Sequence, residues 1–232
     1  MKLAIMQPYL FPYVGYYQLI RAVDRFVIAD DVAYIKGGWI NRNRILVNGQ
    51  PAYFTVPLKR AASDTLIRDM AIDEAQPWRR PLLKTIENYY RRAPSFGAVF
   101  PLVEDVLSRA SGRIAEMTTA SLVTVSEYLG LATAFVPSSS RQATAHLAGQ
   151  DRVIETCVRE SADDYVNAIG GQALYTTDAF AAKGIRLHFL QTDPIEYPQF
   201  RPPFVPGLSI IDLLMFNSRD GARALLDRHR LI

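Results

Sequence analysis

An α/β fold, a Rossmann-like parallel sheet carrying a helical insertion, is what this sequence predicts, on three observations. The chain opens with strand, loop and helix in immediate succession. Its apolar runs end on polar or chain-breaking residues, and a long helical stretch separates two regions of strand and helix alternation. In order, Lys2 to Gln7 reads as a buried strand, Pro8 to Tyr13 as an irregular turn, and Gly15 to Val23 as a helix. A second strand, Arg25 to Ala29, ends in Asp30-Asp31, and a third, Ala52 to Val56, ends at Pro57. From Trp78 to Leu131 the apolar spacing is helical, punctuated by Pro94 and Pro101. Pro137-Ser138-Ser139-Ser140 reads as a loop, followed by a helix near 150–160, a short strand Tyr165-Val166-Asn167, a further helix and a strand Ile185 to Leu190. Five prolines between Pro194 and Pro206 forbid regular structure and favour an extended covering loop. Two short helices follow, the first capped by Ser209. The expected division is an α/β portion 1–77, a helical insertion 78–147, and a portion 148–232 that completes the same domain, with the Pro-rich loop 194–206 and the terminal helices.

Composition narrows the function classes. The 232 residues are 49% hydrophobic and 21% charged, enough for a sizeable packed core. A net charge of +3 from 26 basic and 23 acidic residues is too small an excess for a nucleic-acid partner, so anion binding must be local. The single Cys157 excludes an intrachain disulfide and a multi-cysteine zinc site, and its apolar helical setting reads as a buried thiol. The segment Lys2 to Met6 is too short for a signal h-region, and no run approaches the roughly 18 apolar residues of a membrane span. Cytoplasmic residence is the expectation.

If the three early strands are parallel, their ends bring Gln7, Asp30, Asp31 and Thr55 or Lys59 to one sheet edge, where open α/β sheets bind ligands. Asn167 and Gly170-Gly171, just before a helix, add backbone N–H groups that can approach an anion. In the first loop Tyr9, Phe11, Tyr13, Tyr16 and Tyr17 crowd together, suiting a planar or sugar ligand; Phe11 and Tyr17 are expected to pack the helix on the sheet instead. Near Tyr34, the run Lys36-Gly37-Gly38-Trp39-Ile40-Asn41-Arg42-Asn43-Arg44 sets three cations and two amides around one Trp, a set suited to clamping a diphosphate or carboxylate. His188 shares a strand face with Arg186 and reads as a core histidine, with general acid or base as its functional alternative. Asp212, within an apolar run behind Ser209, needs a partner or a function. No metal-ligand spacing is present, nor any P-loop, Gly-x-Gly-x-x-Gly, His-Glu-x-x-His or Gly-x-Ser-x-Gly motif.

The blocks Met6 to Ile20 and Asp30 to Arg44 resemble the WbqC-like family, and the similarity extends through Phe54 to Leu58, Tyr165 to Tyr175 and Leu208 to Asp212. The resemblance implies a place in gene clusters for O-antigen and other surface polysaccharides or specialised metabolites, and a substrate of the nucleotide-sugar or amino-sugar kind. A more distant likeness is to nucleotidylyl transferases (HUP-like folds), where Tyr13-Val14-Gly15-Tyr16 stands in the place of His-x-Gly-His; with both imidazoles replaced, that likeness implies topology without the adenylylating chemistry.

The leading expectation is a transferase modifying an activated, nucleotide-linked sugar, by acyl or aminoacyl transfer to an amine from a small-molecule or carrier-linked donor. Asp30, Asp31 or His188 would take the proton, and Gln7, Tyr9, Tyr13, Tyr16, Tyr34, Lys36, Trp39, Asn41, Arg42, Asn43, Arg44, Thr55, Asn167, Gly170, Gly171, Ser209 and Asp212 would bind substrate. The alternatives are a nucleotidylyl transferase-like enzyme and a non-catalytic sugar-nucleotide-binding module. Cofactor and oligomeric state stay open.

Overall fold

The computed structural model describes residues 1–109, 112–139 and 144–232; Ser140, expected in a loop, lies outside them. In chain order the elements are β1 (Lys2–Met6), α1 (Val14–Arg21), β2 (Arg25–Ile28), β3 (Arg42–Val47), β4 (Gln50–Thr55), α2 (Arg79–Tyr90), α3 (Phe96–Ser108) and α4 (Ile114–Leu129). There follow β5 (Ala134–Pro137), α5 (Gly149–Arg159), β6 (Asp164–Ala168), α6 (Thr177–Ala181), β7 (Arg186–Thr192), α7 (Ile210–Phe216), α8 (Arg219–Leu225) and β8 (His229–Leu231). The fold is mixed α/β around a mostly parallel sheet. Its order is β5-β2-β1-β6-β7-β8, with only β8 pairing antiparallel.

Each buried strand feeds two cores. Ala4 and Phe26 face a large core built with α1, α4 and α7, while Leu3 and Val27, one residue away on the same strands, face a smaller core with Ile154, Cys157, Tyr165 and Phe180. Burial pushes the Cys157 thiol up to about 12, so it is a packing group and not a thiolate.

Three elements depart from the sequence reading. The expected third strand is β4, and it pairs antiparallel with β3 in a separate two-stranded sheet. The cause is the two-residue turn Asn48-Gly49, both at positive φ (53° and 78°), between the paired Val47 and Gln50. Thr55 and Lys59 therefore do not join the sheet edge. The place beside β2 is taken by β5, four residues inside the range expected to be helical. Pro101, expected to punctuate the helical run, sits within α3. Its missing N–H falls opposite the carbonyl of exposed Gly97, which water can satisfy.

Candidate functional site

The chain runs from β1 outward to β2, with β5 beyond it, and returns on the other side of β1 through β6, β7 and β8. The strand order thus reverses between β1 and β6, and a crevice opens at their carboxyl ends, as open α/β sheets lead one to expect. It is a cavity of about 850 Å³ with mostly apolar walls. Gln7, Tyr9, Tyr13, Tyr16, Asp31, Asn167, Gly170 and Gly171 line it together with Arg152. Asn167 packs so close to Gly171 that a Cβ there would lie 2.6 Å from its amide nitrogen. Glycine is what lets the chain after β6 fold back over its own strand.

The aromatic loop is held from three directions. Phe11 is fully buried with φ at 43°, a strained value for a non-glycine residue. Its N–H donates to Ser121 Oγ of α4 (3.1 Å), and its carbonyl accepts from Asn43 Nδ2 (2.7 Å) and Ser209 Oγ (2.7 Å). Ser209 also caps α7, accepting from the Ile211 N–H at 3.3 Å. Asn41 accepts from Tyr34 Oη (2.8 Å) and donates to the Val56 carbonyl (2.7 Å). Asn41, Asn43, Tyr34 and Ser209, expected as substrate contacts, are therefore the scaffold of the loop and its hairpin. Phe11 and Tyr17 are fully buried, as their expected packing role requires.

Of the three crevice tyrosines in the aromatic loop, Tyr16 Oη donates to the Gln7 carbonyl and is consumed internally. Burial raises all three phenols above their ordinary value, so they stay neutral and cannot serve as bases near neutral pH. Tyr13 is partly covered, with 43% of its surface exposed and its ring lying over Gly15: a Cβ there would stand 2.5 Å from Tyr13 Cε2 and 2.9 Å from Thr192 Oγ1. Gly15→Ala is expected to push the Tyr13 ring off this seat and weaken ligand binding about tenfold while the protein stays folded, read by titration calorimetry beside a thermal melt.

The two aspartates divide. Asp30 accepts from Ser139 N (2.8 Å), Ser139 Oγ (2.7 Å) and Ser138 Oγ (3.2 Å), tying the end of β2 to the turn after β5, and does not line the crevice. Asp31 faces the crevice, where it accepts from Ser138 Oγ and pairs with Arg152 Nη2 at 2.6 Å. Both partners are largely buried, with 4% of the Asp31 side chain and 18% of that of Arg152 exposed. Arg152 escaped the sequence reading. The signal was present in a cation in the first turn of a helix, where the dipole favours acids. At that end of α5, Ala148 and Gly149 line the crevice and no side chain caps the helix among the described residues.

Other expected site residues lie elsewhere. Arg42 donates to the carbonyls of Gly37 and Gly38 and Arg44 to that of Gly207, and both guanidiniums lie over the Trp39 ring, which stacks on Tyr53. Lys36 and Thr55 are exposed and do not line the crevice. Asp212 is fully buried under the Pro-rich loop, accepting from Tyr90, Tyr197 and Gln199, each at 2.7 Å.

His188 also stands apart, since on β7 its ring nitrogen meets Asp164, the first residue of β6 and so at the end opposite the crevice. The Arg186 guanidinium, bonded to Asp164, holds its carboxyl down to about 2 against the opposing effect of burial, with His188 assisting. A depressed carboxylate stabilises the fold above its unfolded value and loses that contribution as pH falls through the folded one. Asp164→Asn is therefore expected to flatten the loss of stability between about pH 4 and pH 2, measured by urea midpoints across that range.

Among the described residues, no group of three or more His, Cys, Asp or Glu is placed to hold a metal, and no helix is long and apolar enough to cross a membrane. No solved structure matches the chain. A relative described as the uncharacterized protein Rv1507c of Mycobacterium tuberculosis (strain ATCC 25618 / H37Rv) is 28% identical over 216 residues, 92% of each chain. The model of one family matches residues 7–224, spanning the aromatic loop, Asp31, Arg152 and the glycine pair after β6: the chain belongs to the WbqC-like protein family.

Proposed function

We propose that the protein is a cytoplasmic transferase that binds a nucleotide-linked sugar or amino sugar in the β1–β6 crevice and acylates or aminoacylates its amine during surface-glycan or related biosynthesis, on a Rossmann-like, HUP-type fold. The observation that carries this reading is the crevice itself: about 850 Å³ at the reversal point of a parallel sheet, walled by Tyr9 and Tyr13, with one buried ion pair and an uncapped helix end inside. The size suits a nucleotide sugar, the aromatic walls suit planar or sugar rings, and Arg152 with the N–H groups of α5 and Gly170-Gly171 suits phosphate.

In this reading the phosphate of the bound sugar competes with Asp31 for Arg152. The carboxylate so released takes a proton as the substrate amine attacks the acyl carbonyl. An N–C bond forms, the bond from the acyl carbon to the carrier breaks, and the proton passes from Asp31 to the departing carrier. Mass spectrometry of the protein with amino-sugar nucleotides and acyl or aminoacyl donors tests it, with Asp31→Asn expected to lower turnover by about 10²- to 10⁴-fold and leave sugar-nucleotide binding in place. No mass change across the panel would sink the transfer reading.

A second reading, a binding module without chemistry, draws on the full satisfaction of Asp31 by Ser138 and Arg152, which leaves the crevice carboxylate engaged. Unchanged product levels in Asp31→Asn, with ligand binding intact, would favour it. Nucleotidylyl transfer has less support, because Tyr16 spends its hydroxyl on the Gln7 carbonyl and is not available to a triphosphate.

A further inference from the structure

A second concave site lies away from the crevice and shares no lining residue with it. It is a groove of about 480 Å³ with three walls: the end of α2 with Arg91 and Arg92, the Asn48-Gly49 turn of the hairpin, and the Pro-rich loop with Phe200 and Arg201. Among the described residues no carboxylate lines it. Several arginines elsewhere pair with acids, among them Arg21 with Asp227, Arg25 with Glu160, Arg79 with Glu74, Arg109 with Asp105 and Arg186 with Asp164, and others donate to carbonyls, as Arg42, Arg44 and Arg113 do. The side chains of Arg91, Arg92 and Arg201 have no hydrogen bond or ion pair among the described residues, although the fold gathers them from segments 110 residues apart in sequence. A helix C-terminus favours cations and accounts for Arg91 and Arg92 just beyond α2, but it does not account for bringing a third guanidinium from a loop.

The walls are fixed by one buried group. Asp212 accepts from Tyr90, the residue before Arg91, and from Gln199, two before Arg201, while Tyr90 Oη accepts from the Leu46 N–H of the hairpin at 2.7 Å. Gln199 also closes the Pro-rich loop on itself through both atoms of its amide with Val205, and Phe200 packs its ring edgewise on Phe216 of α7 (4.7 Å). Like charges are thus held together by a satisfied internal network, with the amides of Asn48 and Asn88 beside them. The three guanidiniums are exposed to solvent, and their arrangement is matched by an anion with several oxygens, for which guanidinium forks are the suited donors.

We propose that this groove is a binding site for a phosphate-bearing ligand, either a free phosphorylated compound or the phosphate of a lipid headgroup. Its test uses the full chain with two probes: inorganic pyrophosphate by titration calorimetry, and co-sedimentation with phosphatidylcholine vesicles with or without phosphatidylglycerol. Arg91→Ala/Arg201→Ala is compared with Lys183→Ala/Arg230→Ala, which removes the same charge elsewhere. Loss or weakening by about tenfold of one pyrophosphate equivalent in the first variant alone supports a free phosphorylated ligand. Loss of binding to phosphatidylglycerol vesicles in that variant alone, without pyrophosphate binding, supports the headgroup. Binding of neither probe, or equal binding by both variants, overturns the proposal. Should the double variant fail to fold, Arg201→Ala, an exposed change on the loop, puts the same question. The crevice reading survives either outcome.

Discussion

Asp212→Ala is expected to lower the unfolding free energy by about 3 kcal/mol, measured by urea denaturation at neutral pH. The carboxylate is fully buried and accepts from Tyr90, Tyr197 and Gln199, so its removal leaves three donors facing a void. An unmade hydrogen bond inside a protein costs about 1–3 kcal/mol per group, and only Tyr197 and Gln199, nearer the surface, recover part of this from water. The charge carries its own signature. Burial raises the Asp212 carboxyl above its ordinary value although its three donors pull it down. Between the unfolded and the raised folded value the native state holds the extra proton, so this group makes stability fall as pH rises through that window, opposite in sign to Asp164. The alanine variant should lose that fall. A variant whose stability matched the wild type at neutral pH would show that the network contributes nothing.

Arg152→Met is expected to destabilise the protein by about 3–5 kcal/mol, because it leaves the Asp31 carboxylate buried without its cation. Asp31→Asn/Arg152→Met removes the orphaned charge and is expected to recover most of the loss, giving a coupling of about 2 kcal/mol or more in a double-mutant cycle of urea unfolding. Recovered stability should not bring back ligand binding, since the cation offered to phosphate is gone from both variants. Additive effects would instead mean that the two side chains act independently, and would remove the exchange of Arg152 between Asp31 and ligand from the proposed mechanism.

The crevice was readable from sequence where it depends on the ends of parallel strands. Gln7, Asp31 and Asn167 each follow an apolar run, and parallel pairing puts such ends on one edge whatever the loops do. The third strand was misplaced because its apolar run says nothing of its partner. The Asn48-Gly49 dipeptide is the local sign of a tight hairpin, and it pairs Ala52 to Thr55 with Arg42 to Ile45. Once the hairpin forms, Trp39, Arg42 and Arg44 go to the outer surface with it. Asp30 and His188 show a different limit, for both find partners, Ser138-Ser139 and Asp164, far along the chain, and no spacing rule reports such contacts. Asn41, Asn43 and Ser209 carry the residue types of ligand contacts but satisfy backbone groups within the protein, the commoner fate of buried polar side chains.

The position of Phe11 has a consequence for what the crevice depends on. Its strained backbone is restrained by Ser121, Asn43 and Ser209, which arrive from α4, the hairpin and the start of α7. A chain cut before Ser209 keeps the aromatic segment but lacks one of the contacts that shape it. The shape of the crevice loop therefore depends on a residue 198 positions away in sequence. A ligand that binds only the finished arrangement would draw α7 into the same cooperative unit and protect a region that it does not touch.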